Sequence, residues 1–287
     1  PVLSSAASDV YKRQCYNCVD KHVENGKSEK VAIIYDSPIT NTKKKITYIQ
    51  LLKKVSSLAA SLSNIGVKKG DRVILYMPMI PEVIISMLAC ARIGAIHSVV
   101  FGGFAAEELA SRISDVLPKV IISASCGLEP KRIIDYKEIL DKALSLTSHR
   151  PLKQIIYQRE QQSCKLSLEN DISWDEFIDT SSSINCVPID SNDPLYILHT
   201  SGTTGIPKGI VRTNGGHAVA LLNSMKMTYD ISEDDVFWAA SDVGWVVGHS
   251  YIVYAPLLLG CSTVLYEGKP VGTPDAGQFW RVICEYK

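Results

Sequence analysis

Short apolar runs rich in β-branched residues alternate with helix-length segments between residues 47 and 157. The runs predict strands, since strands of four to eight residues lie between turn signals, whereas helices need ten residues or more. Parallel strands joined by helices are covered on both faces, so their residues are apolar without alternation. The pattern predicts an α/β fold, with strands at 71–77, 95–101, 119–124 and 153–157 and helices at 82–93, 105–116 and 133–146.

One further helix carries its own start and stop signals. Thr47 and Gln50 form the pattern of a capping box, in which each side chain accepts a hydrogen bond from the other residue's backbone. Apolar residues then recur at helical spacing up to Gly66, which supplies the left-handed residue that ends many helices. We therefore expect a helix that ends before residue 66.

The chain divides into three parts by composition. Residues 1–14 resemble a tag seen at the ends of conceptually translated transcripts and are interpreted as a non-native leader rather than a targeting peptide. Residues 15–287 are predicted to be one part of a larger domain. The polar stretch 158–193 predicts a surface excursion or a subdomain junction.

The charge composition argues against a polyanionic partner. Thirty Lys and Arg residues balance thirty Asp and Glu residues, so there is no long-range field to attract nucleic acid or an anionic membrane. The uncharged stretch 243–266 is long enough to cross a bilayer, but its His, Pro, Gly and hydroxyl residues favour buried strands and turns. We expect small-molecule partners and no membrane insertion.

The cysteine pattern favours a reducing, intracellular compartment. Eight cysteines are spread through a chain too long and too apolar to need disulfides for stability. Cys15 and Cys18 form a lone C-x-x-C, whereas a zinc ribbon needs a second pair and a thioredoxin site needs a preceding strand. Metal binding or redox chemistry at this pair is a minor alternative.

The most informative segment is a loop rich in glycine and hydroxyl residues. A strand predicted at 194–199 leads directly into the sequence Thr200-Ser201-Gly202-Thr203-Thr204-Gly205-Ile206-Pro207-Lys208-Gly209. Glycines let backbone N–H groups approach an anion, hydroxyls donate hydrogen bonds and Lys208 adds a positive charge. The loop is not a Walker A motif, because Pro207 precedes the lysine and Gly209 replaces the Ser or Thr that binds Mg²⁺. Composition alone would also allow a flexible linker, but the sequence favours a phosphate site.

Residues 196–209 resemble the signature loop of the adenylate-forming superfamily, which includes acyl-CoA synthetases, luciferases and peptide-synthetase adenylation domains. The resemblance implies the N-terminal large domain of that fold, with ATP phosphates and their Mg²⁺ at the loop while a carboxylate attacks the α-phosphate. It implies catalytic roles for Lys208 and Thr200. By the same resemblance the remaining ATP contacts are Ser201, Gly202, Thr203, Thr204 and Gly205.

Three further segments, residues 101–104, 129–132 and 242–251, resemble the short-chain acyl-CoA synthetases, the acetyl and propionyl enzymes. The resemblance implies that coenzyme A, the co-substrate, contacts Phe101, Gly102, Gly103, Glu129, Pro130, Lys131 and Arg132. It also implies an acyl pocket formed by Trp245, Val246, Val247, Gly248 and His249. Acetate-type enzymes carry Thr at the position of Val247, so the apolar wall favours propionate, with acetate second.

Non-functional interpretations of these strings remain open from the sequence. Residues 129–132 also fit the solvated start of a helix, Phe101 and Phe104 fit core aromatic residues, and Trp245 fits a buried core indole. We expect the structure to separate these alternatives.

The resemblance implies that other parts of the enzyme lie beyond residue 287. They are the carboxylate that binds Mg²⁺, the Asp that binds ribose, the hinge and the small C-terminal domain. No metal ligand is therefore assigned here, and the 287-residue chain is predicted to be an inactive fragment, with a truncated nucleotide-binding product as the alternative. The resemblance favours the mitochondrial matrix, with the cytoplasm as the alternative, and leaves the oligomeric state open.

Overall fold

A computed structural model of the protein describes residues 14–167, 169–200 and 207–286. Five of the predicted ATP contacts, Ser201 to Gly205, and nearly all of the predicted leader therefore lie outside the described residues. Gln14, the last residue assigned to the leader, lies buried in the first described helix, and its Nε2 is 3.1 Å from Nδ1 of His217.

A seven-stranded, mostly parallel sheet forms the centre of the molecule, with the strand order β11-β10-β4-β3-β5-β8-β9. All neighbouring strands are parallel except β10 and β11, which form an antiparallel hairpin. The four strands predicted between 71 and 157 and the strand predicted at 194–199 are confirmed. The strands of this sheet are β3 (Arg72–Tyr76), β4 (Ile96–Val99), β5 (Val120–Ala124), β8 (Lys153–Tyr157), β9 (Asp171–Ser173), β10 (Pro194–Thr200) and β11 (Lys208–Thr213).

Two smaller sheets complete the strand arrangement. A four-stranded sheet has the order β12-β13-β1-β2, in which β1 is parallel to β13 and antiparallel to β2. An antiparallel pair, β6 and β7, follows β5. These strands are β1 (Val31–Ser37), β2 (Thr42–Thr47), β6 (Cys126–Glu129), β7 (Arg132–Asp135), β12 (Val236–Phe237) and β13 (Ser262–Tyr266).

The helices begin and end largely where the sequence signals predict. The capping box is present, with Thr47 Oγ1 accepting from the Gln50 backbone N–H, and the helix ends before Gly66 at a φ of 90°. The described α-helices are α1 (Gln14–Cys18), α2 (Asp20–Glu24), α3 (Tyr48–Asn64), α4 (Pro81–Arg92), α5 (Ala106–Val116), α6 (Tyr136–Ser145), α7 (Trp174–Phe177), α8 (Asn214–Met227), α9 (Val246–Gly248), α10 (Ala255–Leu259) and α11 (Gln278–Glu285).

Strand β3 shows why both faces of the large sheet are apolar. Val73 and Leu75 point into a core shared with α3 and α4, whereas Ile74 and Tyr76 point into a second core formed with α5 and α6. Since side chains alternate between the faces of a strand, continuous apolar residues are what a sheet between two helical layers requires. The predicted α/β class is confirmed.

Two predicted elements differ from the structure. The helix predicted at 133–146 begins at Tyr136, because residues 132–135 pair with β6 and Asp135 caps the helix through the Glu138 backbone N–H at 2.8 Å. The stretch 243–266, expected to form strands and turns, forms α9, a π-helix (His249–Tyr254) and α10 before β13. None of the described helices is long and apolar enough to span a membrane.

Candidate active site

The loops that follow the parallel strands meet at one edge of the large sheet. Strands β3, β4, β5 and β10 are parallel neighbours, so their carboxyl ends lie together. In open α/β sheets, ligands bind at this edge. Thr200 ends β10, and Met77, Phe101 and Cys126 lie within two residues of the ends of β3, β4 and β5. This places the predicted ATP and coenzyme A motifs on the same side of the molecule.

The two ends of the predicted phosphate loop, Thr200 and Lys208, lie in the antiparallel strands β10 and β11. Thr200 and Lys208 are directly paired across the two strands, and both are exposed. Side chains of directly opposed residues project from the same face of a sheet. Lys208 forms no ion pair with any residue that the structure describes, so its ammonium group is available to an anion.

A histidine–aspartate contact supports this hairpin from helix α5. His199 Nε2 lies 2.8 Å from Asp115 Oδ2, and the imidazole is almost completely buried. Gly209 pairs with His199, and a Cβ at residue 209 would lie 3.2 Å from the same carboxylate oxygen. The strand residues beside Thr200 and Lys208 are therefore closely packed against α5.

The Phe101-Gly102-Gly103-Phe104 loop requires a glycine at its second position. A Cβ at residue 102 would lie 1.7 Å from the phenol oxygen of Tyr136, whose ring is buried and stacked on Tyr76 with centroids 4.6 Å apart. Such a distance is far below van der Waals contact. The glycine thus allows the loop to lie directly on the ring of Tyr136.

The stretch from Glu129 to Arg132 closes the β6–β7 hairpin, so its interpretation as the start of a helix is wrong. Arg132 Nε donates to Glu129 Oε2 at 2.7 Å, and Lys269 Nζ lies 3.7 Å from Oε1. The hydrogen bond from Arg132 is the main reason that the pKa of Glu129 is lowered. Pro130 and Lys131 form the exposed turn, and the Arg132 side chain remains 70% exposed.

The predicted acyl-pocket segment begins in a tight turn. The Asp242 carboxylate accepts from the Gly244 backbone N–H at 2.7 Å, and burial raises the pKa of this carboxyl group. A Cβ at Gly248 would lie 1.9 Å from the Asp242 carbonyl oxygen, so only glycine fits there. The turn fixes the direction in which the following side chains project.

Trp245 is not a buried core indole, because half of its surface is exposed. Val246 and Val247 are exposed to a similar extent. The Trp245 ring lies 5.6 Å from the ring of Phe101. This contact brings the predicted acyl-pocket and coenzyme A motifs together, and Phe101 is only partly buried.

The second phenylalanine of the loop, Phe104, contacts both Phe101 and Arg112. Its ring meets that of Phe101 edge-on at 5.6 Å, and the guanidinium of Arg112 lies 4.2 Å from its centroid.

A small cavity of about 80 Å³ lies next to Phe101, bounded also by Glu129, Tyr136, Asp242 and Lys269. With Met77 to Met79 also in its wall, the cavity joins residues from five separate segments of the sequence.

His249 lies behind these exposed side chains rather than among them. It is completely buried, its Nε2 has no hydrogen-bond partner among the described residues, and its ring stacks on His97 at 5.7 Å. Burial lowers the pKa of His249 to about 4, so the imidazole is neutral near pH 7. Gly248 is also buried, which leaves Trp245, Val246 and Val247 as the accessible part of the predicted pocket.

Sequence analysis missed four residues that the structure brings to this edge: Asp115, Tyr136, Asp242 and Lys269. Asp242 lies shortly before the predicted acyl-pocket residues, which could have drawn attention to it. Asp115 gives no local signal, because only the packing of α5 brings it to the hairpin.

The sheet is mostly parallel and covered by helices, and a hairpin with a glycine-rich sequence lies at its carboxyl edge. These features define the class of α/β proteins that bind ligands at the carboxyl ends of their strands. The chain belongs to the AMP-binding enzyme family, whose pattern matches residues 19–287.

Known relatives agree with this family assignment. Acyl-CoA synthetase short-chain family member 3, mitochondrial, from Homo sapiens is 56% identical over 273 residues, which are 95% of this chain and 40% of that protein. Acetyl-coenzyme A synthetase from Laribacter hongkongensis is 42% identical over 95% of this chain and 41% of its own length. The chain thus spans about two fifths of the curated relatives that it matches.

A solved structure supports the fold in the same way. Acetoacetyl-CoA synthetase from Streptomyces lividans superimposes with a TM-score of 0.83 at 25% identity. The match covers 94% of this chain and 40% of that one. The predicted adenylate-forming fold and the resemblance to short-chain acyl-CoA synthetases are confirmed.

Proposed function

We propose that the protein containing this chain joins a short-chain carboxylic acid to coenzyme A in two steps driven by ATP. The carboxylate first attacks the α-phosphate to give an acyl-adenylate and pyrophosphate, and the thiol of coenzyme A then takes the acyl group. The observation that carries the proposal is the paired placement of Thr200 and Lys208 at either end of the glycine-rich turn.

Charge explains why this hairpin suits the first step. The departing pyrophosphate gains negative charge as its bond to the α-phosphate breaks, so positioned donors lower the barrier. Lys208 supplies a cation that forms no ion pair with the described residues, and Thr200 supplies a hydroxyl on the same face of the sheet. We assign Ser201, Gly202, Thr203, Thr204 and Gly205 to the same phosphate contacts.

The acid is proposed to be propionate, with acetate as the second candidate. The side chains of Trp245, Val246 and Val247 form an accessible apolar surface next to Phe101. An additional methylene in such a pocket is worth about 1–3 kcal/mol, so discrimination between the two acids is moderate. One relative is itself named an acetyl-coenzyme A synthetase.

Coenzyme A is proposed to bind at the loop around Phe101 and the β6–β7 hairpin, within reach of the small cavity. Lys131 and Arg132 are exposed cations at the tip of the hairpin, where they suit the phosphates of coenzyme A. Mg²⁺ would accompany ATP, but the nearby Glu129 and Asp242 carboxylates are bound to protein donors. We propose no Mg²⁺ ligand among the described residues.

Relatives from six organisms carry the word mitochondrial in their names, and we propose the same compartment for this protein. Fractionation of cells expressing the complete protein with a C-terminal label tests this. Recovery of the label in the cytosol would contradict it.

The function is tested by propionate-dependent exchange of pyrophosphate into ATP and by thioester formation, measured on the complete protein. Lys208→Ala is expected to lower kcat by about 10²- to 10³-fold, as loss of a transition-state donor does. Lys68→Ala is the matched control, since Lys68 is an exposed lysine at the opposite edge of the sheet, before β3. Equal activity of both variants would refute the assigned role, and ATP binding without exchange would favour a non-catalytic nucleotide-binding protein.

A further inference from the structure

Two cysteines far apart in the sequence meet in a buried polar cluster remote from the candidate active site. Cys15 lies in α1, and Cys186 lies in the segment that leads towards β10. Arg92, at the end of α4, is 3.1 Å from the sulfur of Cys186 and 3.7 Å from that of Cys15. Asp20 completes the cluster through two hydrogen bonds from Arg92 at 2.8 and 2.9 Å.

A metal ion does not suit this cluster, although its ligand atoms are close enough. One ligand atom each from Cys15, Asp20 and Cys186 lies within 4.8 Å of the others. The guanidinium of Arg92, however, occupies both oxygens of Asp20 and contacts both sulfurs, so a positive charge already stands where the cation would bind. The Cys186 thiol also donates to Asp20 Oδ2 at 3.7 Å, so the cluster is satisfied without an ion.

We propose that Cys15 and Cys186 are a redox-active thiol pair that forms a reversible disulfide when exposed to a small-molecule disulfide such as oxidised glutathione. The two sulfurs lie within 4.8 Å of each other, and the disulfide requires them to approach to the bond length of about 2.05 Å. The thiolate is the reactive form, and the Arg92 guanidinium opposes the rise in the pKa of Cys186 that its hydrogen bond with Cys15 and burial cause.

The reaction balances as two thiol–disulfide exchanges. A protein thiolate attacks one sulfur of oxidised glutathione, forming a mixed disulfide and releasing one glutathione thiolate. The second protein thiol then loses its proton and attacks the protein-bound sulfur of the mixed disulfide, which releases the second glutathione. In total the two protein thiols are oxidised, and one glutathione disulfide is reduced to two thiols.

An open cleft gives the oxidant a route to the pair. The cleft has a volume of about 900 Å³, and its walls include Asp20, Arg92 and Asn185, the residue before Cys186. Both thiols are buried behind this wall, with exposures of 0% and 5%. The pair is therefore expected to react more slowly than Cys284, which is exposed.

Oxidation would connect α1 to the segment that precedes the phosphate hairpin. Cross-linking residues this far apart in sequence restricts the unfolded chain strongly, so the oxidised protein is expected to unfold at a higher temperature, by about 5 °C or more. The reduced protein keeps the Arg92–Asp20 contact but lacks the covalent link.

The test is peptide mapping of the purified protein after equilibration with oxidised and reduced glutathione, followed by acid quenching and alkylation. Trypsin gives peptide 14–21, which holds Cys15 and Cys18, and peptide 166–208, which holds Cys186 alone. We expect these two peptides to be linked under oxidising ratios and separated by dithiothreitol. Fragmentation is expected to locate the bond at Cys15.

Variants separate this bond from other thiol reactions. Cys15→Ser and Cys186→Ser are expected to abolish the linked peptide and the gain in unfolding temperature. Cys18→Ser is the matched control, because Cys18 is an equally buried cysteine in the same helix, and it should retain both. Separate glutathione adducts without a linked peptide, a bond at Cys18, or a zinc ion bound in equal amount to the protein would each overturn the proposal.

Discussion

A buried ion pair between the two larger sheets offers a direct test of the packing described above. Arg159 follows β8 of the seven-stranded sheet, and Glu267 follows β13 of the four-stranded sheet. Two hydrogen bonds join them, with Nη1 to Oε1 at 2.7 Å and Nη2 to Oε2 at 3.0 Å. Oε2 also accepts from the hydroxyls of Tyr35 at 2.6 Å and Ser37 at 2.9 Å.

Glu267→Gln keeps the shape of the side chain but removes its charge. The Arg159 side chain is only 4% exposed, so its guanidinium would remain charged and buried without its counterion. Breaking such a pair from one side costs about 3–5 kcal/mol, a large share of the ~5–15 kcal/mol that stabilises a typical domain. Tyr35→Phe removes a single hydrogen bond to the carboxylate and is expected to cost about 1.5–3 kcal/mol.

Urea unfolding followed by tryptophan fluorescence measures these differences. With a slope of about 3 kcal/mol per M, Glu267→Gln is expected to lower the midpoint by about 1 M or more. Arg159→Met combined with Glu267→Leu should cost less than Glu267→Leu alone, because no isolated charge remains. A midpoint of Glu267→Gln equal to that of the unmodified protein would refute the reasoning, as would a double variant less stable than the single one.

Three further predictions concern the loop glycine, the buried histidines and the acyl pocket. Gly102→Ala is expected to lower the free energy of unfolding by about 1–3 kcal/mol, because its Cβ would overlap a buried tyrosine oxygen. Gly216 lies in α8, where an added Cβ would be 4.0 Å from its nearest neighbour, so Gly216→Ala should raise the free energy of unfolding by up to about 1 kcal/mol in the same urea assay. Burial lowers the pKa values of His217 and His249 to about 4, whereas histidine in the unfolded chain has its ordinary pKa of about 6.5. Below pH 6.5 the unfolded chain therefore binds more protons than the folded protein. The free energy of unfolding should therefore fall by about 2 kcal/mol per residue from pH 7 to pH 5, and a flat pH profile would contradict this. Val247→Thr should shift the ratio of kcat/KM for propionate over acetate towards acetate by about tenfold, as measured on the complete protein; an unchanged ratio would remove this residue from the proposed pocket.

The central sheet and its helices could be predicted from the sequence because the relevant signals are local. The apolar run of β3, the capping box of Thr47 and Gln50, and the glycine that ends α3 each act within a few residues. The β6–β7 hairpin was missed because its turn, Pro130-Lys131, lacks the Asn-Gly or Asp-Gly pattern that usually marks a short hairpin. The helical character of 246–259 was missed because glycine, proline and β-branched residues lower helix propensity there and packing overrides it.

The composition of the candidate site could be predicted, but its arrangement could not. The string from Thr200 to Gly209 indicates phosphate binding, because its residue types carry the chemistry. Nothing in the string indicates that Thr200 and Lys208 are directly opposed strand residues, since pairing depends on backbone hydrogen bonds between separate segments. The contact of Phe101 with Trp245 likewise needs the folded chain.

The pairing of Thr200 with Lys208 also limits how this turn can change in length. Successive side chains alternate between the two faces of a strand, so a deletion or insertion of a single residue that shifted the register would send the lysine to the reverse side of the ribbon. Changes of two residues would preserve its direction. Length changes between the two strands should therefore occur only where they leave this register unchanged or shift it by two residues, a restriction that originates in the strands and acts before any ligand is present.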